Sequence, residues 1–324
     1  MRAVVCRELV GPAGLVLEDG KAPEPAPGEV LIQVEAAALN FADTLMIRGR
    51  YQERYDPPFV PGLEIAGRVL SVGAGVGRPE PGERVMAVLD RGGFAEQVVA
   101  HERDVFAVPD SLPMDQAAGF PIAYGTAYGA LVWRAGLREG EVLVVHGAAG
   151  GVGLTAVECG KALGARVIAT ARGEDKLEVA RRHGADQVLD AAKDDLRERI
   201  LAATDGDGAD VVFDSVGGDV AKASFRAMAW EGRYLAIGFA SGEVPEIQAN
   251  RLLVKNIAAI GFYWGSYRTK APDRLRQSFE VLLDWYERGL LKPTVSHHFP
   301  LDKAADALTT LIGRKSRGKI VLTV

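Results

Sequence analysis

The chain has 324 residues, 48% of them hydrophobic and 25% charged, which is typical of a globular protein with one large or two ordinary domains. A formal net charge of -5 gives no general reason to bind nucleic acid or an anionic membrane. No run approaches the roughly 18 to 20 apolar residues of a membrane-spanning helix. Two cysteines, Cys6 and Cys159, leave no disulfide framework. We therefore expect a soluble, cytoplasmic protein with no nucleic-acid partner and no membrane insertion.

The first part of the chain, up to about residue 115, predicts short β-strands. β-Branched segments are separated by Gly- and Pro-containing turns such as "PAPG" and "EPG". The predicted strands are "RAVVCREL", "EVLIQVEAAAL", "EIAGRVLSVG", "ERVMAVL" and "FAEQVVAH". This pattern is typical of a β-rich domain.

Strands and helices then alternate. The segment "MDQAAGFPIAYGTAYGALVWRAGL" has helical spacing, and the strands "EVLVVHG", "RVIATA", "QVLD", "DVVFDSVG" and "RYLAIGF" follow. Between them lie the predicted helices "GLTAVECGKALG", "EDKLEVARRHG", "DDLRERILAATDG" and "KASFRAMAWEG". Such alternation predicts an α/β fold with a parallel sheet that is buried on both faces. The C-terminal part holds the helix "PDRLRQSFEVLLDWYERGLL", a second helix and a last strand, "GKIVLTV".

A glycine-rich turn, "AAGGVG", opens this alternation at residues 148–153. It resembles the dinucleotide fingerprint G-x-G-x-x-G with Ala148 in place of the first glycine. Gly150 lets the backbone approach a pyrophosphate, and Gly153 lets the helix pack against its strand. Free N–H groups at the helix start, around Gly151 and Val152, then meet the phosphate charge. Because the turn follows a predicted strand and precedes a predicted helix, we expect a dinucleotide here.

The end of the next strand indicates which dinucleotide. An NAD enzyme usually has Asp or Glu there to bind the ribose 2′-hydroxyl. The sequence "RVIATARGEDK" has Ala171 at that place, followed by Arg172 and, four residues later, Lys176. Cationic side chains without the acid suit a 2′-phosphate. This favours NADPH over NADH, although Asp190, after the third strand, is an acid near the adenosine side.

Several segments together resemble one known family. They are "VEAAALNFADTLMIRGRY", "PPFVPGLEIAGRVLSVGAGV", "GTAYGAL", "VHGAAGGVGLTAVECGKALGARVIATA" and "DSVGG". Over essentially the whole chain the sequence resembles the zinc-independent quinone oxidoreductase (zeta-crystallin-like) branch of the medium-chain dehydrogenase/reductase superfamily.

The resemblance implies two domains and a dimer. A β-rich, GroES-like catalytic domain would comprise residues 1–118 and be completed by residues 271–324. A Rossmann-type doubly wound sheet, residues 119–270, would bind the dinucleotide. Family members place the active site in the cleft between these domains and usually form homodimers. The implied activity is NADPH-dependent hydride transfer to a small-molecule acceptor, a quinone or an α,β-unsaturated carbonyl.

No catalytic metal is expected. Related alcohol dehydrogenases bind zinc through Cys and His, but the matching positions here hold Asn40 and, in the "GHE" motif, Leu63. A zinc site needs three or four N, S or O ligands, and two distant cysteines with five scattered histidines do not supply them. We interpret the histidines, Asp43 and Glu64 as structural or surface residues.

Hydride addition to a quinone or enone does not require a Lewis acid, because the negative charge ends on the acceptor's own oxygen. The protein then has mainly to orient nicotinamide and acceptor. Asn40 and Tyr51 match family positions at the nicotinamide end of the site. As candidate catalytic residues, Asn40 would donate through its amide, and Tyr51 would hydrogen-bond the acceptor or the ribose, or relay a proton. The alternative is that Asn40 closes a loop and Tyr51 only packs.

Further cofactor contacts are implied by family position. Thr126 lies where the family touches the nicotinamide, and the alternative is a hydroxyl bonded to its own helix. Gly238, Phe239 and Ala240 follow a predicted parallel strand and should lie at the ligand-binding edge. The segment "GFYWGSY", with Phe262, Tyr263 and Trp264, would bind the nicotinamide, line the substrate mouth or form an edge strand in a dimer. A C-terminal basic run, which includes Lys319, is a further candidate for cofactor phosphate or a solvated surface.

Two other functions remain open. An enoyl-thioester (enoyl-CoA) reductase would use the same cofactor with a different acceptor. A non-catalytic, zeta-crystallin-like RNA-binding protein belongs to another class, and the acidic net charge argues against it. The intact glycines of the turn favour an enzyme.

Overall fold

The computed structural model describes residues 1–193 and 195–324. They divide into two compact units: unit 1, Met1–Ile122 with Pro293–Val324, and unit 2, Ala123–Lys292. The strands, in chain order, are β1 (Arg2–Cys6), β2 (Leu15–Asp19), β3 (Glu29–Ala38), β4 (Glu64–Val72), β5 (Arg84–Val88), β6 (Gln97–His101), β7 (Val105–Ala107), β8 (Val142–His146), β9 (Arg166–Ala171), β10 (Gln187–Asp190), β11 (Ala209–Asp214), β12 (Met228–Ala236), β13 (Ala258–Gly261), β14 (Val295–Pro300) and β15 (Lys319–Thr323).

The α-helices are, in the same order, α1 (Phe41–Met46), α2 (Met114–Ala118), α3 (Phe120–Tyr128), α4 (Gly151–Ala162), α5 (Glu174–Arg182), α6 (Leu196–Ala203), α7 (Asp219–Ala227), α8 (Ala249–Lys255), α9 (Tyr267–Lys270), α10 (Pro272–Glu287) and α11 (Ala304–Ile312). A π-helical segment, Gly129–Ala135, continues α3. In the described part of the chain, no helix combines the length and the apolar composition that a bilayer crossing requires.

Unit 1 is a β-rich unit built on a largely antiparallel sheet. Its strand order is β14-β15-β3-β4-β5-β7, with β6 also paired to β3, and β1 and β2 form a separate antiparallel pair. Burial alternates along β3, where Val30, Ile32 and Val34 face the core, as expected for a strand with one side against the interior. Because β15 pairs with β3, the C-terminal segment completes this unit, as the sequence predicted.

Unit 2 is a parallel sheet with the strand order β10-β9-β8-β11-β12-β13. Each neighbouring pair is parallel. Numbered within the unit, this is the 3-2-1-4-5-6 order of doubly wound dinucleotide-binding sheets. The central strands are buried along nearly their whole length, with Val144 and Ile168 at 0% exposure, as their continuous apolar sequences predict. The predicted fold class is confirmed.

Both boundaries between the units lie later than the sequence predicted. The first follows residue 122 instead of 118, and the second follows Lys292, whereas the prediction began the C-terminal segment at residue 271. Helix α10 therefore belongs to unit 2. Its Phe279 ring packs edge-on against Trp264 at 6.3 Å, and its Trp285 ring packs against Tyr128 at 5.6 Å. These aromatic contacts hold α10 to the rest of unit 2.

One predicted helix ends earlier than expected. The segment "KASFRAMAWEG" predicts a helix, but α7 ends at Ala227 and Met228 begins β12. Glu231 has a φ of 60°, in the left-handed region that a right-handed helix does not contain. The chain therefore turns into β12 within the last residues of the predicted helix.

Candidate functional site

The glycine turn lies between β8 and α4 in unit 2. Gly147, directly after β8, has a φ of 67°, and Gly150 is the N-cap of α4. A Cβ on Gly153 would lie 2.2 Å from the carbonyl oxygen of Gly147, so only glycine allows the helix to start this close to its strand. A Cβ on Gly150 would meet only that same oxygen, at 3.3 Å. The turn thus has the shape of a phosphate cradle, with the first N–H groups of α4 available.

Gly147 is a residue that the fingerprint comparison missed. The sequence analysis placed Ala148 at the position of the first glycine, whereas the left-handed backbone that makes the tight turn belongs to the preceding residue. A Cβ at Gly147 would also contact Val216 and Ser215, at 3.0 and 3.1 Å. The signal was present in the sequence as the "HGAAGGVG" run, which has a glycine directly after the strand.

The turn lies at the point where the strand order of the sheet reverses. Strand β8 is flanked by β9 and β11, so loops at the carboxyl ends of β8 and β11 run in opposite directions and leave a crevice. Asp214, the last residue of β11, shapes the second loop: its Oδ1 accepts from the amides of Val216 at 2.7 Å and Gly217 at 3.0 Å. The hydroxyl of Tyr234 donates to Oδ2 at 2.6 Å, and burial raises the pKa of Tyr234.

The segment Gly238–Ala240 lies at the same edge. The Gly238 amide donates to the carbonyl of Asp214 at 3.3 Å, and the Ala240 amide donates to that of Ser215 at 3.1 Å. Phe239 between them is 37% exposed. The structure thus brings these three predicted residues to the loop that also contacts the glycine turn.

Arg172 and Lys176 follow β9, as the sequence placed them. Arg172 is exposed, directly after Ala171, the last residue of the strand, and Lys176 lies on the first turn of α5. The carboxylate of Asp190 accepts from the Ala192 amide at 2.9 Å and from the Gly173 amide at 3.4 Å. These bonds lower the pKa of Asp190. Asp190 therefore holds the turn that carries Arg172.

Thr126 lies in α3, and the aromatic segment packs against the glycines of this helix region. A Cβ on Gly125 would lie 2.6 Å from the Trp264 ring, and a Cβ on Gly129 would lie 2.6 Å from Phe262. The glycines of "YGTAYG" thus leave space for these two rings; Trp264 is 5% exposed and Phe262 is 8% exposed. Thr126 is 8% exposed, and its hydroxyl makes no hydrogen bond to any described residue. The alternative of a hydroxyl bonded to its own helix is therefore not seen.

Phe262, Tyr263 and Trp264 are not part of the edge strand, because β13 ends at Gly261. Phe262 and Trp264 are buried, while Tyr263 is 40% exposed. The edge strand, which was one of the alternatives for this segment, is thus formed by the preceding residues, Ala258–Gly261.

A second group of predicted residues forms a buried polar network in unit 1. Asn40, the N-cap of α1, donates from Nδ2 to Glu64 Oε1 at 3.0 Å. The ammonium of Lys319 donates to the same Glu64 oxygen at 2.7 Å, to Asn40 Oδ1 at 2.8 Å and to the Leu39 carbonyl at 2.8 Å. The other Glu64 oxygen accepts from the Ile122 amide at 2.8 Å. Glu64 is fully buried, Asn40 is 7% exposed and Lys319 is 8% exposed.

The position of Lys319 corrects one sequence interpretation. The C-terminal basic run was a candidate for cofactor phosphate, but an ammonium has three N–H donors and all three of Lys319 are used inside unit 1. A weak signal for this position was present, because Lys319 is the first residue of the apolar strand "KIVLT".

Asp43 lies beside this network and is completely buried. Its Oδ2 accepts from the Asn40 amide at 2.7 Å, and its Oδ1 is buried with no hydrogen bond of good geometry to any of the residues that the structure describes. Burial raises the pKa of Asp43 to about 7, against the lowering effects of the Asn40 amide and the Lys319 charge. Asp43 thus gains a proton near neutral pH.

Tyr51 packs half-buried against the core of unit 1. Of the five histidines, His146 is fully buried between the hydroxyls of Thr170 and Ser224, at 2.7 and 2.6 Å, and burial lowers its pKa. Both ring nitrogens of His146 are thus engaged with neighbouring side chains of unit 2. Within residues 1–193 and 195–324, no three His, Cys, Asp or Glu side chains are grouped to hold a metal ion.

Two family models match the chain. The model for the alcohol dehydrogenase GroES-like domain matches residues 26–110, within unit 1. The model for zinc-binding dehydrogenase matches residues 151–287, within unit 2. Each match agrees with the architecture of the unit that contains it.

Full-length relatives and solved structures resemble the chain as well. It is 41% identical to the quinone oxidoreductase-like protein 2 homolog of Nematostella vectensis, with 99% of this chain and 88% of the relative covered. A mycobacterial protein solved with NADPH superposes with a TM-score of 0.94 at 31% identity. The quinone oxidoreductase of Escherichia coli, also solved with NADPH, superposes with a TM-score of 0.93 at 28% identity. Both structural comparisons cover 100% of each chain.

Proposed function

Since the chain belongs to the quinone oxidoreductase branch of the medium-chain dehydrogenase/reductase superfamily, we propose that it is an NADPH-dependent oxidoreductase. It transfers a hydride to a quinone or to an α,β-unsaturated carbonyl compound. The observation that supports this most strongly is the glycine turn: Gly147 and Gly153 allow α4 to start close to β8, and the missing side chain of Gly150 leaves the start of α4 open for a pyrophosphate. The two similar structures solved with NADPH agree with this assignment.

The preference for NADPH over NADH rests on the end of β9. Ala171 stands where an NAD enzyme has its acid, and Arg172 is exposed directly after it. The nearest acid on the neighbouring strand, Asp190, is engaged with backbone amides. Titration of both reduced cofactors by fluorescence tests this: we expect NADPH to bind at least about tenfold more tightly, a difference of ~1.4 kcal/mol. Equal affinities would contradict it.

Bound NADPH would supply the hydride, and the protein would supply orientation. We assign the nicotinamide to the segment around Thr126, whose hydroxyl has no partner in the described chain, and to the backbone of Phe262–Trp264. Gly238–Ala240, at the carboxyl edge of the sheet, would border the same cofactor. The structure of a complex with NADPH tests these contacts.

Asn40 and Tyr51 are the residues that we assign to the acceptor. The amide nitrogen of Asn40 carries two protons, of which one is donated to Glu64. The second would donate to the acceptor oxygen, where negative charge develops as the hydride arrives. Tyr51 would hydrogen-bond the acceptor or pass on the proton that completes the reduction.

We also propose that the reaction needs no metal. Where related alcohol dehydrogenases have zinc-binding side chains, this chain has Asn40 and Leu63, and the Asn40 oxygen is bonded to the Lys319 ammonium. The Lys319 ammonium is hydrogen-bonded to the side-chain oxygens of Asn40 and Glu64, so its charge would repel a metal cation at these oxygens. The donor set therefore suits hydrogen bonding rather than metal ligation.

The acceptor separates the main proposal from its nearest alternative. NADPH oxidation would be followed with a panel of quinones, simple enones and enoyl-CoA thioesters. We expect turnover with a quinone or a simple enone. Turnover of thioesters alone would identify an enoyl-thioester reductase, and NADPH binding without any turnover would contradict both. A filter-binding assay with single-stranded RNA tests the non-catalytic alternative, for which the acidic net charge is unfavourable.

We further propose a homodimer formed through β13. This strand is at the edge of the unit 2 sheet, and its residues Ala258 and Ala259 are exposed. Nearby elements expose large apolar side chains: Trp230 at 65%, Leu253 at 78% and Val254 at 78%. An exposed strand edge with apolar side chains nearby can pair with the same edge of a second copy.

Light scattering tests the proposed dimer and should give twice the mass of one chain. The double variant Leu253→Glu/Val254→Glu should have the mass of the monomer. A native protein with the mass of one chain would contradict the proposal.

A further inference from the structure

The side-chain amide of Asn40 has only one possible orientation. An ammonium can only donate, so the Asn40 atom 2.8 Å from Lys319 Nζ must be the amide oxygen. The Glu64 carboxylate can only accept hydrogen bonds, so the Asn40 atom 3.0 Å from its Oε1 must be the amide nitrogen, which donates. A rotation by half a turn would set the NH2 group against the ammonium and the oxygen against the carboxylate. The positive charge of Lys319 and the negative charge of Glu64 therefore fix the same orientation of the Asn40 amide.

Lys319 cannot act on a ligand itself. Its three N–H groups are donated to the Leu39 carbonyl, to Asn40 Oδ1 and to Glu64 Oε1, at 2.7 to 2.8 Å. The side chain lies within the interior of unit 1, with an exposure of 10%. Any influence of Lys319 on a reaction must therefore pass through one of these three partners.

Asn40 is the partner that still has a proton to offer. Of the two N–H groups on Nδ2, one goes to Glu64, and the other has no partner among the described residues. We propose that Lys319, together with Glu64, is a positioning residue that holds this second N–H ready for the acceptor oxygen. The inference rests on the proposed reductase function and adds a requirement to it: the amide must be fixed by charge, not merely present.

The alternative is that Lys319 only ties the C-terminal strand into the sheet. Arg84 offers a matched control for that role. Its guanidinium also lies in the sheet of unit 1 and donates to the carbonyls of Asp110 and Leu112, without any contact to Asn40. Arg84→Met therefore removes a basic side chain that ties unit 1 together and leaves the amide of Asn40 untouched.

The test is a double-mutant cycle of Lys319→Met and Asn40→Ala on the full-length protein. The rate of NADPH oxidation is measured with the quinone that the native enzyme reduces best, together with the Kd for NADPH and the Tm. We expect Lys319→Met to lower kcat at least about tenfold with an unchanged Kd for NADPH. In the Asn40→Ala background the same substitution should change kcat by less than about twofold. Arg84→Met should lower the Tm and leave kcat unchanged.

The outcomes separate this inference from the function on which it rests. If the native protein reduces no acceptor, both fail. If the native protein is active but Lys319→Met lowers kcat equally with and without Asn40, or leaves kcat unchanged, only the positioning role is overturned. Should Lys319→Met not fold, Glu64→Gln in the same two backgrounds gives the second cycle, because it removes the charge that fixes the amide nitrogen. An equal loss in both backgrounds would again overturn the inference.

Discussion

The ammonium of Lys319 lies 2.7 Å from the carboxylate of Glu64 in the interior of unit 1, although the two residues are 255 positions apart. The pair joins the first residue of β15 to the first residue of β4. Burial of opposite charges is tolerated here because each donor of the ammonium finds an acceptor. The same pair fixes the amide of Asn40, so one structural tie also sets the geometry of a candidate catalytic group.

Asp43 should make the stability of the protein depend on pH. Burial raises its pKa from an ordinary 3.8 to about 7, so the folded protein binds this proton more tightly than the unfolded chain. Protonated Asp43 therefore contributes most to the free energy of unfolding at low pH. This contribution is lost as the pH rises toward 7, and the free energy of unfolding falls by at most about 1.4 kcal/mol per pH unit. Asp43→Asn resembles the protonated form and removes this dependence.

We therefore expect the free energy of unfolding of Asp43→Asn, relative to the native protein, to increase between about pH 4 and pH 7 and to level off above it. Chemical unfolding at several pH values measures the difference, and a second variant at an exposed carboxylate, Asp273→Asn, serves as the control. A difference that does not change with pH would contradict the raised pKa.

Two substitutions in the glycine turn should have different effects, one mainly on stability and the other mainly on cofactor binding. Gly153→Ala places a Cβ 2.2 Å from a backbone oxygen, so we expect a loss of at least about 2 kcal/mol and a lower Tm. Gly150→Ala meets the same oxygen at 3.3 Å. It should keep a nearly native Tm but bind NADPH more weakly, because the methyl group would occupy the space that we propose for the pyrophosphate. Thermal unfolding with cofactor titration distinguishes the two, and an equal effect of both substitutions on Tm would be against this account.

Arg172 should carry much of the discrimination between the two cofactors. A charge-assisted hydrogen bond to the 2′-phosphate contributes about 1.5 to 3 kcal/mol. Arg172→Ala should therefore lower kcat/KM for NADPH by roughly tenfold to a hundredfold and leave kcat/KM for NADH nearly unchanged. Steady-state kinetics with both cofactors measure this. If both values fall together, Arg172 supports the fold of the turn rather than the phosphate.

Removal of metal ions should leave the activity intact. Dialysis against a chelator, checked by elemental analysis, would be followed by the NADPH-dependent assay before and after addition of Zn²⁺. Because Asn40 and Glu64 are bonded to an ammonium, we expect no loss on dialysis and no gain on addition. A loss that zinc restores would show that a metal takes part.

Much of the fold follows from local sequence signals. The alternation of strands and helices predicts the parallel sheet of unit 2, and the glycines of the turn predict the start of α4. The structure places α10 in unit 2 through ring contacts such as Trp264 with Phe279, and no local sequence pattern reveals such contacts. The cytoplasmic location and the dimer stay predictions.

The polar network of unit 1 shows where sequence reasoning stops. Asn40 was predicted from its family position and Glu64 was expected to be structural, but Lys319 was predicted as part of a C-terminal basic run, which also contains the exposed Arg314 and Lys315. Their charges are alike, and only the pairing of β15 with β3 turns Lys319 inward. Long-range pairing thus decided a role that composition and spacing could not.

The most direct test of the central claim is the initial rate of NADPH oxidation by the purified protein with a 1,4-benzoquinone or a simple enone, with NADH as the matched control. We expect saturable turnover with NADPH and a kcat/KM at least about tenfold lower with NADH. Binding of NADPH without oxidation by any quinone or enone would contradict it, and would leave the fold assigned but the function unexplained.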